Sequence, residues 1–552
     1  MKVFKYEALF ATVNKLSILL IPLAVFPPIV IDPFNVPKMI LITGLGTMGV
    51  ALFFVASIFT KPRSKVLIVS SQILAIFLLI LFVSFLLSDA PLSQQLWGTF
   101  GRNIGLLSLI GSAGIVVSAL YYAYRIDRNL DGVKKSLLIL NIMGTGIAVL
   151  QFIGLELFKV NEATGKMIGT LGNSNFQGTF LSILATLTLS KILFSKPRTK
   201  SNQALLCTTL AVQSFLIYET FALQSLLSFL GVGIFLLIYR FKFRISGKGP
   251  KTIFWTGVSA LLALLLLASF MTIRYISELA ILNTLKIRTY YWSAGLSMML
   301  DKPLSGVGLD SFGDWYLYFQ PPIAYRSGVE QSDASHNIFI DFGAWGGFPL
   351  FIVYLSVQFL VLVRVIHQLK RKDPIRCEVL FPIAIWLVLF FQSLVTVVNL
   401  GFYVFVCLTS GWILGQSFSE DPRSSKANLI STLRVSAQKI NIFLIVLGVL
   451  TASLSSVIAI KEVRLVNAVN SNSAKDLSLI ARSWPELPYY SLQAAGILKN
   501  AGLIVSAAVV QRQAVQQFPR FYRLQLLGLD LSFSERDREK YKEVLEFLNP
   551  SK

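Results

Sequence analysis

The sequence predicts an all-α, polytopic membrane protein with about thirteen transmembrane helices, a long outward-facing loop and a small helical C-terminal domain. Three observations carry this. Of the 552 residues, 54% are hydrophobic and only 14% charged, whereas a soluble domain carries nearer a quarter charged residues. The apolar residues fall into runs of about 17 to 25, long enough to cross the hydrocarbon core as helices. Between those runs, Lys and Arg accumulate at every second connection, the asymmetry that marks cytoplasmic loops.

The runs lie at 14–32, 37–58, 66–87, 105–123, 135–156, 176–194, 204–219, 221–239, 253–272, 336–363, 379–396, 400–416 and 441–460. Lys2, Lys5 and Lys15 precede the first run, but no small-residue cleavage site follows it and Pro27-Pro28 interrupt it. It is therefore expected to be retained as a span. The pair 204–239 is divided by charge. Lys196 to Lys200 before it and Arg240 to Lys251 after it are both basic and belong on one side, so two crossings with a turn near Glu219 are needed. The same rule orients the whole chain. The loops 88–104, 157–175 and about 273–335 are expected to face outward, away from the cytoplasm, together with everything after the last span.

The formal charge of +22 raises nucleic acid as a partner, but the positive residues follow the topology, so the expected partner is the lipid bilayer and not nucleic acid. Cys207, Cys377 and Cys407 are too few and too scattered for a disulfide or zinc framework. The chain divides into a membrane domain, 1–462, and a charged tail, 463–552, with short helical patterns from Tyr489, Ser506 and Glu535. Alanines at 494, 495, 507 and 508 allow close helix packing. Two hairpins, each ending in Pro, resemble tetratricopeptide repeats, and the tail is expected to recruit an acceptor or protein partner and to do no chemistry. A plain helical tail is the alternative.

The polar stretch from Lys286 to Leu350 stands out because long connections inside compact domains are usually functional or disordered. Its aromatics and turn glycines argue against disorder. Of the two histidines, His367 lies among Arg364, Lys370 and Arg371 and reads as a solvated residue. His336 lies where the long loop enters a helix, and a histidine there can accept a proton near neutral pH. An interfacial cap is the alternative for it. Outward-facing cations are few, and Arg102, Arg288 and Arg326 stand out among them. Arginine presents a planar fork suited to phosphate oxygens, and converging arginines would hold a lipid diphosphate. Taken singly, each reads as a solvated or headgroup-facing residue. Asp310, Asp314, Glu330 and Asp333 show no metal-ligand spacing and read as solvated carboxylates.

At three places the chain resembles the O-antigen ligase and O-antigen polymerase superfamily of bacterial membrane glycosyltransferases. The first is Arg288-Thr-Tyr-Tyr-Trp292 running into Asp301-Lys302-Pro303-Leu304-Ser305-Gly306-Val307-Gly308. The second is His336-Asn337 followed by Gly347. The third is Gly169 to Asn175, with Asn173 and Asn175 before the sixth span. Asp32-Pro33-Phe34 with Pro37-Lys38 also looks like the family's first outer turn.

The resemblance implies transfer or polymerisation of an undecaprenyl-diphosphate-linked glycan onto a glycan, lipid or protein hydroxyl, at the outer face of the bacterial cytoplasmic membrane. It implies no cofactor and no required metal. Residue by residue, His336 takes the base or acceptor-orienting role and Arg288 a diphosphate role. Asn337, Gly306, Gly308, Asn173, Asn175 and Gln224 become supporting residues. Gln224 stands where many members carry arginine, leaving Arg102 and Arg326 as candidate replacements. Leu350 also stands where a second glycine is usual. A glycolipid flippase or ion-coupled transporter is the rival reading, yet charged groups cluster at the span edges and no matching interrupted helices are legible.

Overall fold

The computed structural model of the chain describes residues 7–59, 65–155, 167–195, 199–242, 278–326, 331–370, 376–417 and 434–550. Among these residues there are 21 α-helices and no strand, which keeps backbone hydrogen bonds inside each segment as hydrocarbon demands. The first half forms α1 (Glu7–Leu23), α2 (Asn35–Phe59), α3 (Lys65–Leu87), α4 (Leu92–Trp97), α5 (Leu106–Tyr121), α6 (Asp131–Phe152), α7 (Ser174–Phe194), α8 (Lys200–Glu219) and α9 (Leu223–Lys242). Then come α10 (Glu278–Asp301), α11 (Phe312–Phe319), α12 (Pro322–Arg326), α13 (Ile338–Leu369), α14 (Cys377–Ser393), α15 (Leu400–Gln416) and α16 (Arg434–Asn470). The chain ends in α17 (Ala474–Arg482), α18 (Pro488–Asn500), α19 (Ile504–Gln517), α20 (Tyr522–Asp530) and α21 (Glu535–Leu548).

Eight of these helices are long and apolar enough to cross a membrane, and α14 and α15 are shorter apolar helices of 17 residues. The turn dividing α8 from α9 falls at Glu219–Ala222, where charge placed it. The run 253–272 lies outside the described residues. The first run starts earlier than hydropathy suggested: α1 begins at Glu7 and has ended before Pro27-Pro28.

Close backbone approach holds the bundle centre together. α2 and α5 cross at Gly46, Gly49, Gly111 and Gly114, and a Cβ on Gly46 would collide with the Gly111 backbone. Small residues at such crossings let dispersion contacts replace the missing hydrophobic drive inside a membrane. At the His336 end, buried Lys38 of α2 donates to the carbonyls of Ala24 (2.8 Å), Phe34 (2.7 Å) and Thr170 (2.6 Å). Three acceptors satisfy its three donors, so the Pro37-Lys38 signature ties the α1–α2 turn to the segment before α7.

The expected loop at 273–335 is largely helical where described. α10 has 24 residues, and Tyr290, Ala294 and Met298 are buried along it at a spacing of four. That stripe buries one face of a helix that lacks the continuous apolar run of a span. The tail boundary also moves, because α16 runs unbroken past 463 to Asn470. Beyond it, α18 packs against α19, with Ala494, Ala495, Ala507 and Ala508 buried; α20 packs against α21 in the same way.

Candidate active site

His336 is fixed by what stands on either side of it. The Asn337 side chain caps α13, accepting from the backbone N–H of Phe339 (3.0 Å) and Ile340 (3.3 Å), donors that a helix start leaves unpaired. The Ser335 N–H donates to Asp341 Oδ1 (2.7 Å), and the Ser335 hydroxyl donates to the Asn337 carbonyl (2.9 Å). Between these anchors His336 takes φ 57°, a left-handed conformation costing about 1–2 kcal/mol in a residue with a Cβ. Its ring is thereby turned onto Tyr291 of α10, with centroids 5.3 Å apart and planes 23° from parallel.

Arg288 precedes Tyr291 by three positions on α10, which places the two side chains on one face. It is half-buried and has no carboxylate partner among the described residues. Burial lowers its pKa, though a guanidinium stays charged under all working conditions. His336 is pushed down to about 4, first by burial and then by the Arg102 and Arg288 charges, against the opposing pull of Asp333. The proton acceptor near neutral pH that the sequence suggested is therefore a neutral imidazole, held ready to accept a hydrogen bond.

Arg102 reaches the same neighbourhood from the α4–α5 connection. Its Nε donates to Asp333 Oδ2 at 2.7 Å, and its NH2 group bonds the other carboxylate oxygen. Burial raises the Asp333 pKa, but the charge and hydrogen bonds of Arg102 more than offset this and hold it below the usual carboxylate range. The Arg102 segment is shaped by Asp310, whose Oδ2 accepts from the backbone N–H of Thr99 (2.7 Å) and Ile104 (3.2 Å). Asp310 is buried, not solvated. Burial pushes it up to about 7, against the Thr99 N–H and the Arg102 charge. Asp314 is half-buried and accepts from Gln94 (2.7 Å). Glu330 lies outside the described residues. No group of three or more His, Cys, Asp or Glu side chains converges as a metal site among the described residues.

The turn between α10 and α11 enters a break in α13. Gly346 and Gly347 leave helical geometry there, Gly347 at φ 64° and ψ −163°. The Phe348 N–H donates to the Pro303 carbonyl (2.8 Å), while the Ala344 carbonyl accepts from Val307 (2.8 Å) and the Trp345 carbonyl from Gly308 (3.2 Å). The groups released by the broken helix are thus satisfied by the inserted turn. Gly306 (φ 63°) and Gly308 (φ 113°) adopt conformations that favour glycine. A Cβ on Gly306 would meet the backbone at Trp345 and Gly346. α13 is the interrupted helix that the sequence did not disclose.

Other sequence candidates fall elsewhere. Asn173 caps α7, accepting from the Asn175 N–H (2.8 Å), and the Asn175 carbonyl accepts from Thr179 (3.0 Å). Gln224 is half-buried on α9. No hydrogen bond or ring contact joins these three to His336 among the described residues. Arg326 ends α12, and its side chain lies outside the described residues. Sequence reasoning missed Asp310 as an organiser and Tyr291 as the platform for His336, although Tyr291 stood inside the quoted motif.

The tail is packed onto this end of the molecule. Phe100, two residues before Arg102, stacks on Tyr489 with centroids 3.6 Å apart. The Tyr490 hydroxyl donates to Glu462 (2.7 Å), whose other oxygen accepts from the Ile31 and Asp32 N–H groups. The Arg520 guanidinium lies 3.5 Å from the Trp315 ring centroid.

Fold and site define a multi-pass helical membrane protein with a histidine and two arginines gathered at one end of the bundle. Residues 208–355 match the family model described as O-Antigen ligase, a stretch that includes Arg288, the Gly306–Gly308 turn and His336. The match supports the O-antigen ligase and polymerase superfamily that the sequence resembles, and with it a role in cell-surface polysaccharide biosynthesis. No curated protein matches the chain.

Proposed function

We propose that this protein transfers or polymerises a glycan from a polyprenyl diphosphate donor, undecaprenyl diphosphate in bacteria, onto an acceptor hydroxyl at the His336 end of the bundle. The observation that carries the reading is Arg288, a half-buried guanidinium without a carboxylate partner among the described residues, one turn from the ring that stacks on His336. The donor diphosphate lies against Arg288. The acceptor oxygen attacks the anomeric carbon, its O–H hydrogen-bonded to a ring nitrogen of His336. The new glycosidic bond forms as the carbon–oxygen bond to the diphosphate breaks, and lipid diphosphate leaves with its electron pair. The acceptor proton passes to His336 and then to solvent. Proton transfer of this kind contributes about 10²–10⁴-fold; stabilisation of the departing diphosphate by fixed donors is the larger contribution. Arg102 shapes the site through Asp333 and adds positive potential.

Transport is the second reading, favoured by the break in α13, since broken helices line many transporter sites. One experiment separates the two. Purified protein is reconstituted with an undecaprenyl-diphosphate-linked oligosaccharide and an acceptor, without any ion gradient. Release of undecaprenyl diphosphate matched by glycan transfer is expected. Movement of intact lipid-linked donor between leaflets, with no release, would replace this reading by transport.

A further inference from the structure

At the end of the bundle opposite His336, a cavity of about 1420 Å³ opens among α6, α7 and α8. It exceeds the roughly 300–1,000 Å³ of pockets that take drug-sized ligands. Its long walls are apolar, with Leu137, Ile142, Val149 and Leu150 from α6 facing Leu187 and Ile192 from α7. Its mouth is basic. Lys134 and Lys135 open α6, and Lys191 lies in the last turn of α7. Lys134 is engaged by Asp131 (2.6 Å) and Glu378 (2.9 Å). Lys135 and Lys191 are exposed and have no ion-pair partner among the described residues.

A polar bridge makes the groove a built feature. Gln213 of α8 donates to Asn141 Oδ1 (3.1 Å) and Thr145 Oγ1 (2.9 Å) on α6. Asn141 in turn donates to the Leu184 carbonyl (3.0 Å) and Thr188 Oγ1 (3.1 Å) on α7. Three helices are thereby fixed around the cavity by side chains that find no water inside a bilayer.

We propose that this groove binds an anionic phospholipid of the surrounding leaflet, with its phosphate between Lys135 and Lys191 and an acyl chain along the α6–α7 wall. Both halves of the groove select this occupant. A soluble anion would leave the apolar wall uncovered, and a zwitterionic lipid would leave the lysine charges incompletely matched. Basic pockets between transmembrane helices hold lipid phosphates for this reason, and lysine stems lie along apolar surface while their ammonium groups reach the interface.

Cys207 lines the groove and is exposed, so it can report on occupancy. The full chain carrying Cys377→Ala and Cys407→Ala is labelled at Cys207 with a bimane fluorophore. It is then reconstituted in mixtures of phosphatidylglycerol and phosphatidylcholine over a range of mole fractions, with one or the other lipid brominated. Brominated phosphatidylglycerol should quench several-fold more effectively at low mole fraction. The Lys135→Ala/Lys191→Ala variant should lose that preference, by about 10–30-fold in relative affinity. Lys135→Arg/Lys191→Arg should keep it. Equal quenching by the two lipids in the parent protein, or a preference unchanged in the alanine variant, would overturn the proposal. Protein that fails to insert is recognised by the absence of quenching from either lipid, and the arginine variant then decides the matter. None of these readouts involves glycan transfer.

Discussion

His336 and Arg288 act on opposite sides of the reacting carbon in the proposed reaction, so their losses should differ. His336→Ala should reduce single-turnover rate by about 10²-fold, or some 2.7 kcal/mol at 1.36 kcal/mol per decade, with donor affinity retained. Arg288→Ala should weaken donor binding as well as slow the reaction, and Arg288→Lys should restore only part, since an ammonium lacks the two-pronged contact. Both are measured against His367→Ala, with donor binding and turnover recorded separately; a wild-type rate in His336→Ala would remove the histidine from the mechanism. The pH dependence follows from the depressed His336 pKa. A group pushed from 6.5 to about 4 stays neutral until pH falls through the lower value. Turnover should therefore show no histidine limb between pH 5.5 and 8, where the titrating group of the site is Asp310, held at about 7; the histidine limb should lie near pH 4. A fall centred near 6.5 in the pH–rate profile that is absent from the profile of His336→Ala would mean that His336 is solvated and unperturbed. The histidine itself was readable in the sequence, as the residue before an N-capping asparagine. Its depressed pKa was not, because that comes first from burial in the folded site and then from charges that include Arg102, more than two hundred positions away.

At the scale of elements, the docking of the 301–310 turn into α13 governs the site, because it sets α10 against the start of α13. Gly347 is the sensitive point. Its φ is 64°, and an added Cβ would meet the Pro303 and Lys302 carbonyls. Gly347→Ala should cost about 1–3 kcal/mol from the backbone conformation alone, and more from the collision. Thermal unfolding in detergent should show a lower midpoint, accompanied by lost turnover; unchanged values for both would show that α13 accommodates a side chain there. The neighbouring Phe348→Ala, at a half-exposed apolar position, serves as the control. Legibility differs sharply between elements. Leu400–Gln416 coincides with its apolar run, because a fully buried helix is hydrophobic on every side. α10 was read as loop because burying one face needs only a stripe, and Lys286, Arg288, Thr289, Ser293 and Ser297 interrupt its apolar residues. The break in α13 went unread although Gly346-Gly347 and Pro349 stand close together, because the turn that satisfies the freed backbone groups comes from forty residues earlier.

For the whole molecule, the alternation of basic connections leads us to expect the His336 end to face out of the cell. Once the native cysteines are replaced by alanine, Ser471→Cys should react with a membrane-impermeant maleimide in intact cells and Gln203→Cys should not; the reverse pattern would invert the orientation. The tail, expected from sequence to be a recruiting appendage, is also part of the architecture of that end. Its composition announced helices, but nothing in its order announced that Tyr489 would meet Phe100 or that Tyr490 would share Glu462 with the α1–α2 turn. Those contacts hold the segment that delivers Arg102, which Asp310 grips from the other side. Removing the tail should therefore loosen the Arg102 segment without deleting any group proposed to touch the reacting atoms. A chain ended after Asn470 should insert normally and lose about 10-fold or more in donor affinity, with residual turnover at saturating donor. Tyr489→Ala should reproduce part of this loss in the full chain. Tyr489→Phe, which keeps the stacked ring, should restore it. Aromatic pairs of this kind contribute about 0.5–1.5 kcal/mol, so the single substitution should weaken donor binding by roughly 2- to 10-fold. If the truncated chain inserts and binds donor as tightly as the full protein, the tail's contacts with Phe100 and Glu462 serve stability or partner recruitment, and the Arg102 segment is held by Asp310 and Asp333 alone.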